Sequence, residues 1–177
     1  HNEQAAAYMA DAYARLTGRV GVCAVSSGVA HSNALTGVAN AFFDGAPLLL
    51  ITGASAGYGG DRGVFQEFDQ VALAAPICKF AKLVSRTEHL AFLVREAFAA
   101  ALSGRPGPAH LTIPVDVLED KVNTFSGMDK SSYVQTSQVE QVDRNLVKDA
   151  VKIIKYARCP LLVAGSGVFY ANGQEAM

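Results

Sequence analysis

The sequence predicts an α/β fold: a mainly parallel β-sheet with helices on both faces. Three observations predict it. Short apolar runs alternate with longer stretches of helical period. The runs "VGVCAVS", "PLLLIT" and "HLTIP" lack polar alternation, the pattern of strands covered on both sides. The segments between them are long enough for parallel crossovers, which need about a dozen residues or more.

Each element follows from its own residues. Over His1–Arg19, Ala5, Met9, Ala12 and Leu16 recur at helical spacing, and Gly18 stands where a C-cap glycine belongs. Val20–Ser26 is a short buried strand, Gly28 lies in the turn behind it, and "HSNALTGVANAFF" continues as an apolar helix. Pro47–Thr52 is a second, central strand. Gly53–Gly63 then holds five glycines in eleven residues, a loop beyond a strand's carboxyl end, where open α/β sheets place their ligands. Phe65–Ala74 reads as a short helix, Lys79–Val84 as a weaker strand, and Glu88–Leu102 as a helix with Leu90, Val94, Ala97 and Ala101 on one face. "GRPGPA" stops that helix, because its two prolines cannot continue it, and His110–Pro114 is a further strand.

Composition shifts after Asp120. Residues 1–120 read as one domain lacking its start, 121–141 as a polar, serine-rich linker, and 142–177 as the first helix and strand of a second domain. In that last part Val142–Ala157 carries an apolar helical stripe and Cys159–Gly167 reads as a strand running into a glycine turn, with "NGQEAM" opening a further helix. The expectation is a chain truncated at both ends.

Composition also excludes classes. Hydrophobic residues make up 50% and charged residues 18%, against about 25% charged in ordinary soluble domains, so the chain is not disordered. Fifteen Lys and Arg against sixteen Asp and Glu leave a net charge of −1, which argues against nucleic-acid binding. No apolar run reaches the roughly 18 residues of a membrane span, and no signal peptide shows. Cys23, Cys78 and Cys159 are far apart and form neither a disulfide framework nor a zinc cluster, which suits isolated thiols in the cytoplasm. No metal-ligating group is expected.

Among residues that can carry chemistry, Glu3 is either a first-turn helix charge or a catalytic acid whose pKa an apolar partner raises. "SSGVAHSN" puts Ser27, Gly28 and Asn33 at a strand-to-helix turn whose backbone N–H groups suit a polar ligand; it is neither a Walker A loop nor GxGxxG. His31 sits in that turn without a nucleophile beside it in sequence. In "VFQEFDQ", Phe65 and Phe68 anchor, while Gln66 and Glu67 face either a ligand or solvent.

At this point the residues match a family. "NEQAAAYMADAYARLTGRVGVC", "SSGVAHSNALTGVANAFFDGAPLLLITG", "VFQEFDQ", "PICKFAKLV" and "GRPGPAHLTIPVDV" occur in an order that resembles thiamine-diphosphate-dependent enzymes of the acetolactate synthase type. The resemblance covers residues 1 to about 118, the family's pyrimidine-binding domain, and 142–177 resembles the start of its central domain. It implies an enzyme whose thiamine diphosphate ylide attacks a 2-keto acid, with decarboxylation and carboligation following. By the same resemblance, Glu3 binds N1′ of the aminopyrimidine, Ser27, Gly28 and Asn33 lie at the cofactor, Gln66 is catalytic with Phe65 as its wall, and Lys79 lines the substrate channel, where His31, at a turn in which this sequence departs from the family, is a candidate specificity residue. Mg2+ and the diphosphate are held by a domain not present in this chain. A second copy of the subunit completes the site, so the chain alone carries half of it and is expected to be inactive. FAD is compatible with the resemblance, through Gly165-Ser166-Gly167 at the start of the central domain. The chain departs from the family in reading Gly28-Val29-Ala30 where such synthases read Gly-Pro-Gly. That departure keeps benzaldehyde-lyase-like and oxalyl-CoA-decarboxylase-like activities open, and a non-catalytic protein retaining the domain is a further alternative.

Overall fold

The structure, a computed structural model, describes residues 2–57, 63–121 and 142–177. The chain divides into two compact units, His1–Tyr133 and Val134–Met177. The predicted linker lies outside the described residues apart from Lys121.

The first unit is a four-stranded, all-parallel sheet in the order β1-β2-β4-β3, with β1 Gly21–Val25, β2 Leu48–Ala54, β3 Phe80–Leu83 and β4 Pro108–Pro114. Its helices are α1 Glu3–Thr17, α2 Val29–Asp44, α3 Gln70–Ala74, α4 Leu90–Leu102 and α5 Val115–Glu119. The expected α/β architecture is therefore present. α1 is capped at both ends: Asn2 Oδ1 accepts from Ala5 N, and at the glycine the sequence predicts the backbone N–H of Gly18 bonds to Ala14 O.

Strand alternation divides the core into two layers. On one face Leu48, Leu50 and Cys23 pack against Ala7, Ala10 and Ala14 of α1 and Ala34, Val38 and Ala41 of α2. On the other, Leu49, Ala109, Leu111 and Ile113 meet Ala97 and Ala101 of α4. Leu48, Leu49, Leu50 and Leu111 are completely or almost completely buried, and truncating any of them to alanine costs about 2–5 kcal/mol. α1 and α2 approach closely because the residue at their crossing is Gly37. A Cβ there would sit 2.7 Å from Ala7 Cβ and 2.8 Å from Tyr8 N. Asp11, almost fully buried, joins the pair from α1: it accepts from Arg15 Nε at 3.0 Å and from Asn40 Nδ2 of α2 at 2.8 Å.

Some local expectations change. The helix expected over Phe65–Ala74 begins only at Gln70, because Asp69 caps it: its Oδ1 accepts from Ala72 N at 2.8 Å. Ahead of it Gln66 has φ 63°, a left-handed conformation that no α-helix accommodates. β2 runs through Gly53 to Ala54, so the glycine-rich segment starts later than predicted; Asp61 lies outside the described residues. α5 was not anticipated.

In the second unit α6 spans Arg144–Tyr156, capped by Asp143, in place of the predicted 142–157. The predicted strand at Cys159–Gly167 does not form: no partner strand lies beside it among the described residues, and a strand needs one to satisfy its backbone. Ser166–Tyr170 forms a short helix, α7, and Gln174–Ala176 a 3₁₀ turn. No described helix is long and apolar enough to cross a membrane.

Candidate functional site at the carboxyl end of the sheet

The connection from β1 to α2 and the start of α1 meet at the carboxyl end of the sheet. α1 leads into β1 through only three residues, Gly18–Val20, so its first turn lies at the opposite end from β1's start. Glu3 is in that first turn and is half-buried. Asn33, in the second turn of α2, donates from Nδ2 to Glu3 Oε2 at 2.8 Å. A backbone hydrogen bond first, and this amide second, hold the Glu3 carboxyl below the usual carboxylate range. Both hydrogen bonds favour the charged form.

One turn of helix away, Gly28 caps α2 with φ 60° and ψ −116°, a conformation open to glycine and little else. The Gln66 segment lies directly on it. A Cβ at Gly28 would meet Gln66 Cβ at 2.3 Å and Gln66 O at 2.8 Å. Gln66 is thus brought to the Gly28 turn from 38 residues away in sequence. Ser27, in the same turn, has its backbone nitrogen 3.8 Å from where a Cβ on Gly53 would stand, at the end of β2. Phe65 is 86% exposed at the tip of the Gln66 segment, and Val29 beside Gly28 is 63% exposed. Glu67 turns back on its own loop, accepting from Val64 N at 3.0 Å.

Two predicted channel residues do not join this group. His31 is fully buried. Helical phase explains it: within α2, positions 30, 31 and 34 face the core while 29 and 32 face outward. Its ring lies 4.8 Å from the His110 ring and 5.9 Å from Phe68, centroid to centroid. Thr52 Oγ1 lies 2.9 Å from His110 Nε2 and 3.3 Å from Thr112 Oγ1. Burial pushes the His31 imidazole down to about 4; burial and the neighbouring His31 push His110 down to about 3. Both are buried in the core, and burial favours the neutral form of each ring.

Lys79 is at the other end of the sheet. Its backbone N–H bonds to Pro108 O at the start of β4, and its ammonium group donates to Ser103 O and Ser103 Oγ at the end of α4. The physical reason is the helix terminus: the last carbonyls of α4 need donors, and a cation suits that pole. Burial, then the nearby Arg105, lower the Lys79 pKa. The seven residues of β2 put about 20 Å between the two ends of the sheet.

Sequence reasoning missed Gln70. Its Oε1 accepts from Gly28 N at 2.8 Å and its Nε2 donates to Gly53 O at 3.0 Å, with the residue only 1% exposed. The signal was Asp69: reading it as a helix cap would have made Gln70 the first residue of α3 rather than the middle of a longer helix.

Among the described residues no three His, Cys, Asp or Glu side chains come together in a group able to hold a metal ion. Burial pushes the Cys78 thiol up to about 12, and raises Cys23 as well.

The chain is similar to known proteins. Residues 1–73 match the family described as thiamine pyrophosphate enzyme, N-terminal TPP binding domain. An acetolactate synthase large subunit from Buchnera aphidicola subsp. Schizaphis graminum is 38% identical over 181 residues, covering 99% of this chain and 31% of its own length. The acetolactate synthase isozyme 3 large subunit of Escherichia coli is 35% identical over 184 residues, with 99% and 31% covered. Human 2-hydroxyacyl-CoA lyase 1 is 36% identical over 178 residues, with 99% and 30% covered. The chain therefore spans about 31% of the length of the curated relatives it matches.

Proposed function

We propose that this chain, which belongs to the thiamine-diphosphate-dependent, acetolactate-synthase-like enzymes, supplies the aminopyrimidine half of an active site acting on a 2-keto acid. The observation that carries the reading is the Glu3 carboxylate, held by Asn33 at the carboxyl end of a parallel sheet beside the Gly28 turn.

The donor set fits the cofactor's pyrimidine. A half-buried carboxylate with a fixed amide behind it can accept or share a proton with a ring nitrogen. When bound, thiamine diphosphate supplies the carbon nucleophile that attacks the keto group and takes up the electron pair left as carbon dioxide departs. Glu3 is the residue that holds the pyrimidine and holds or passes a proton at its carboxylate oxygen. Asn33 orients that carboxylate. Gln66 stands at the turn as the polar group facing substrate, and Phe65 and Val29 supply apolar surface that excludes water once covered. We assign Mg2+ and the diphosphate to a part of the protein outside this chain. A second subunit completes the site, covering the exposed Tyr8, Met9, Val29 and Phe65.

A second reading is a lyase acting on a 2-hydroxyacyl-CoA, favoured by the similarity to the human lyase over nearly the whole chain. One experiment separates the two. The full-length gene product is titrated with thiamine diphosphate and Mg2+ by calorimetry, and products are analysed with pyruvate and with a 2-hydroxyacyl-CoA. Saturable binding with acetolactate formed supports the first reading; binding with acyl-CoA cleavage alone moves the assignment to the second. No binding defeats both.

A further inference from the structure

We propose that Gln70 is a positioning residue of this site: its carboxamide ties the Gly28 turn to the end of β2 and thereby holds the Gln66 segment in its left-handed conformation. What the site binds rests on the reading above; the tie itself rests on geometry.

Gly28 N–H precedes α2 and Gly53 C=O belongs to β2, so they come from different elements. Only a group with a donor and an acceptor at fixed separation bridges such a pair, and a carboxamide is one. Gln70 does so at 2.8 and 3.0 Å from a site that is almost completely buried. The Gly28 turn then bears Gln66, since the space a Gly28 Cβ would need is already filled by Gln66 Cβ and O. Between the two glutamines, Phe68 sets its ring 5.9 Å from His31. The segment is thus pinned at 66, 68 and 70, all against the β1-to-α2 connection or the helix it opens. A glutamine at φ 63° persists only where its surroundings over-determine it. Gln70 enters that set through its two hydrogen bonds. It acts as a positioning residue, through Gly28 and Gln66.

The test uses the full-length protein without ligand and reads hydrogen–deuterium exchange by peptide. Gln70→Leu removes both bonds. Exchange over residues 26–30 and 64–69 should rise tenfold or more while residues 48–52 and 108–113 exchange as in wild type. Gln70→Glu keeps the acceptor for Gly28 N–H and loses the donor to Gly53; it should leave 26–30 protected and loosen 64–69. In turnover assays Gln70→Leu should raise KM for substrate about tenfold with a smaller fall in kcat. Wild-type exchange in both variants, or a uniform rise over the whole sheet, overturns the proposal. Failure of the wild-type protein to bind thiamine diphosphate would instead overturn the functional reading, and the local exchange pattern would still decide the role of Gln70.

Discussion

Asn33 Nδ2 donates a 2.8 Å hydrogen bond to Glu3 Oε2, and this bond joins the second turn of α2 to the first turn of α1. It turns a helix-end carboxylate into an oriented one. Because the amide favours the charged form, its loss moves the Glu3 pKa upward. In the full-length enzyme, Glu3→Gln should cut kcat by about 10²–10⁴-fold, the range of general acid–base catalysis. Asn33→Ala should cost less and shift the acid limb of the kcat/KM profile to higher pH. Wild-type turnover in Glu3→Gln would remove Glu3 from the mechanism.

Gly28→Ala tests the turn. The new Cβ must enter space occupied by Gln66, at a φ of 60° that alanine adopts only with strain of about 1–3 kcal/mol. The expected result is a lower denaturation midpoint together with at least tenfold weaker thiamine diphosphate binding by calorimetry. A variant with lowered stability and unchanged affinity would show that the turn shapes the fold and not the ligand site.

The buried His31–His110 pair makes stability depend on pH. Folding holds both imidazoles neutral, down to about 4 and about 3, whereas unfolded histidine titrates near 6.5. Below about pH 6.5 the unfolded chain therefore binds more protons than the folded one. Stability from this source is complete above that pH and is lost as pH falls, at up to about 2.7 kcal/mol per pH unit while both groups contribute, down to about pH 4, and at half that slope from His110 alone down to about pH 3. Urea denaturation at pH 7, 6 and 5 should show His31→Leu halving the slope relative to wild type. An unchanged slope would mean the pair is not what titrates.

Lys79→Met separates the two ends of the sheet. The lysine caps α4, so its loss should cost about 0.5–1.5 kcal/mol of stability. KM and kcat should stay within about twofold of wild type. A severalfold rise in KM would return Lys79 to the substrate path.

Much of the fold was legible because it rests on local chemistry. "PLLLIT" reads as a central strand from its unbroken apolar run, and "YARLTG" reads as a helix end from its glycine. Cys159–Gly167 shows the limit: an apolar run signals a strand, but only a neighbouring strand makes one. His31 shows another. Its surroundings depend on where α2 begins, and a helix starting at Val29 rather than two residues later turns the ring into the core.

By itself the sequence determined the α/β class, the order of elements and the chemistry on offer: a carboxylate at a helix start, a glycine turn, and amides in a phenylalanine-flanked segment. Those depend on side-chain type and near-neighbour spacing, which a linear chain displays. Only the tertiary structure decided which of them meet. It set Asn33 on Glu3, Gln66 on Gly28 and Gln70 between Gly28 and Gly53, and it sent His31 inward and Lys79 to the far end of the sheet. These outcomes follow from helix phase, strand direction and the close packing of residues 17 to 42 positions apart, none of which the residue order alone displays.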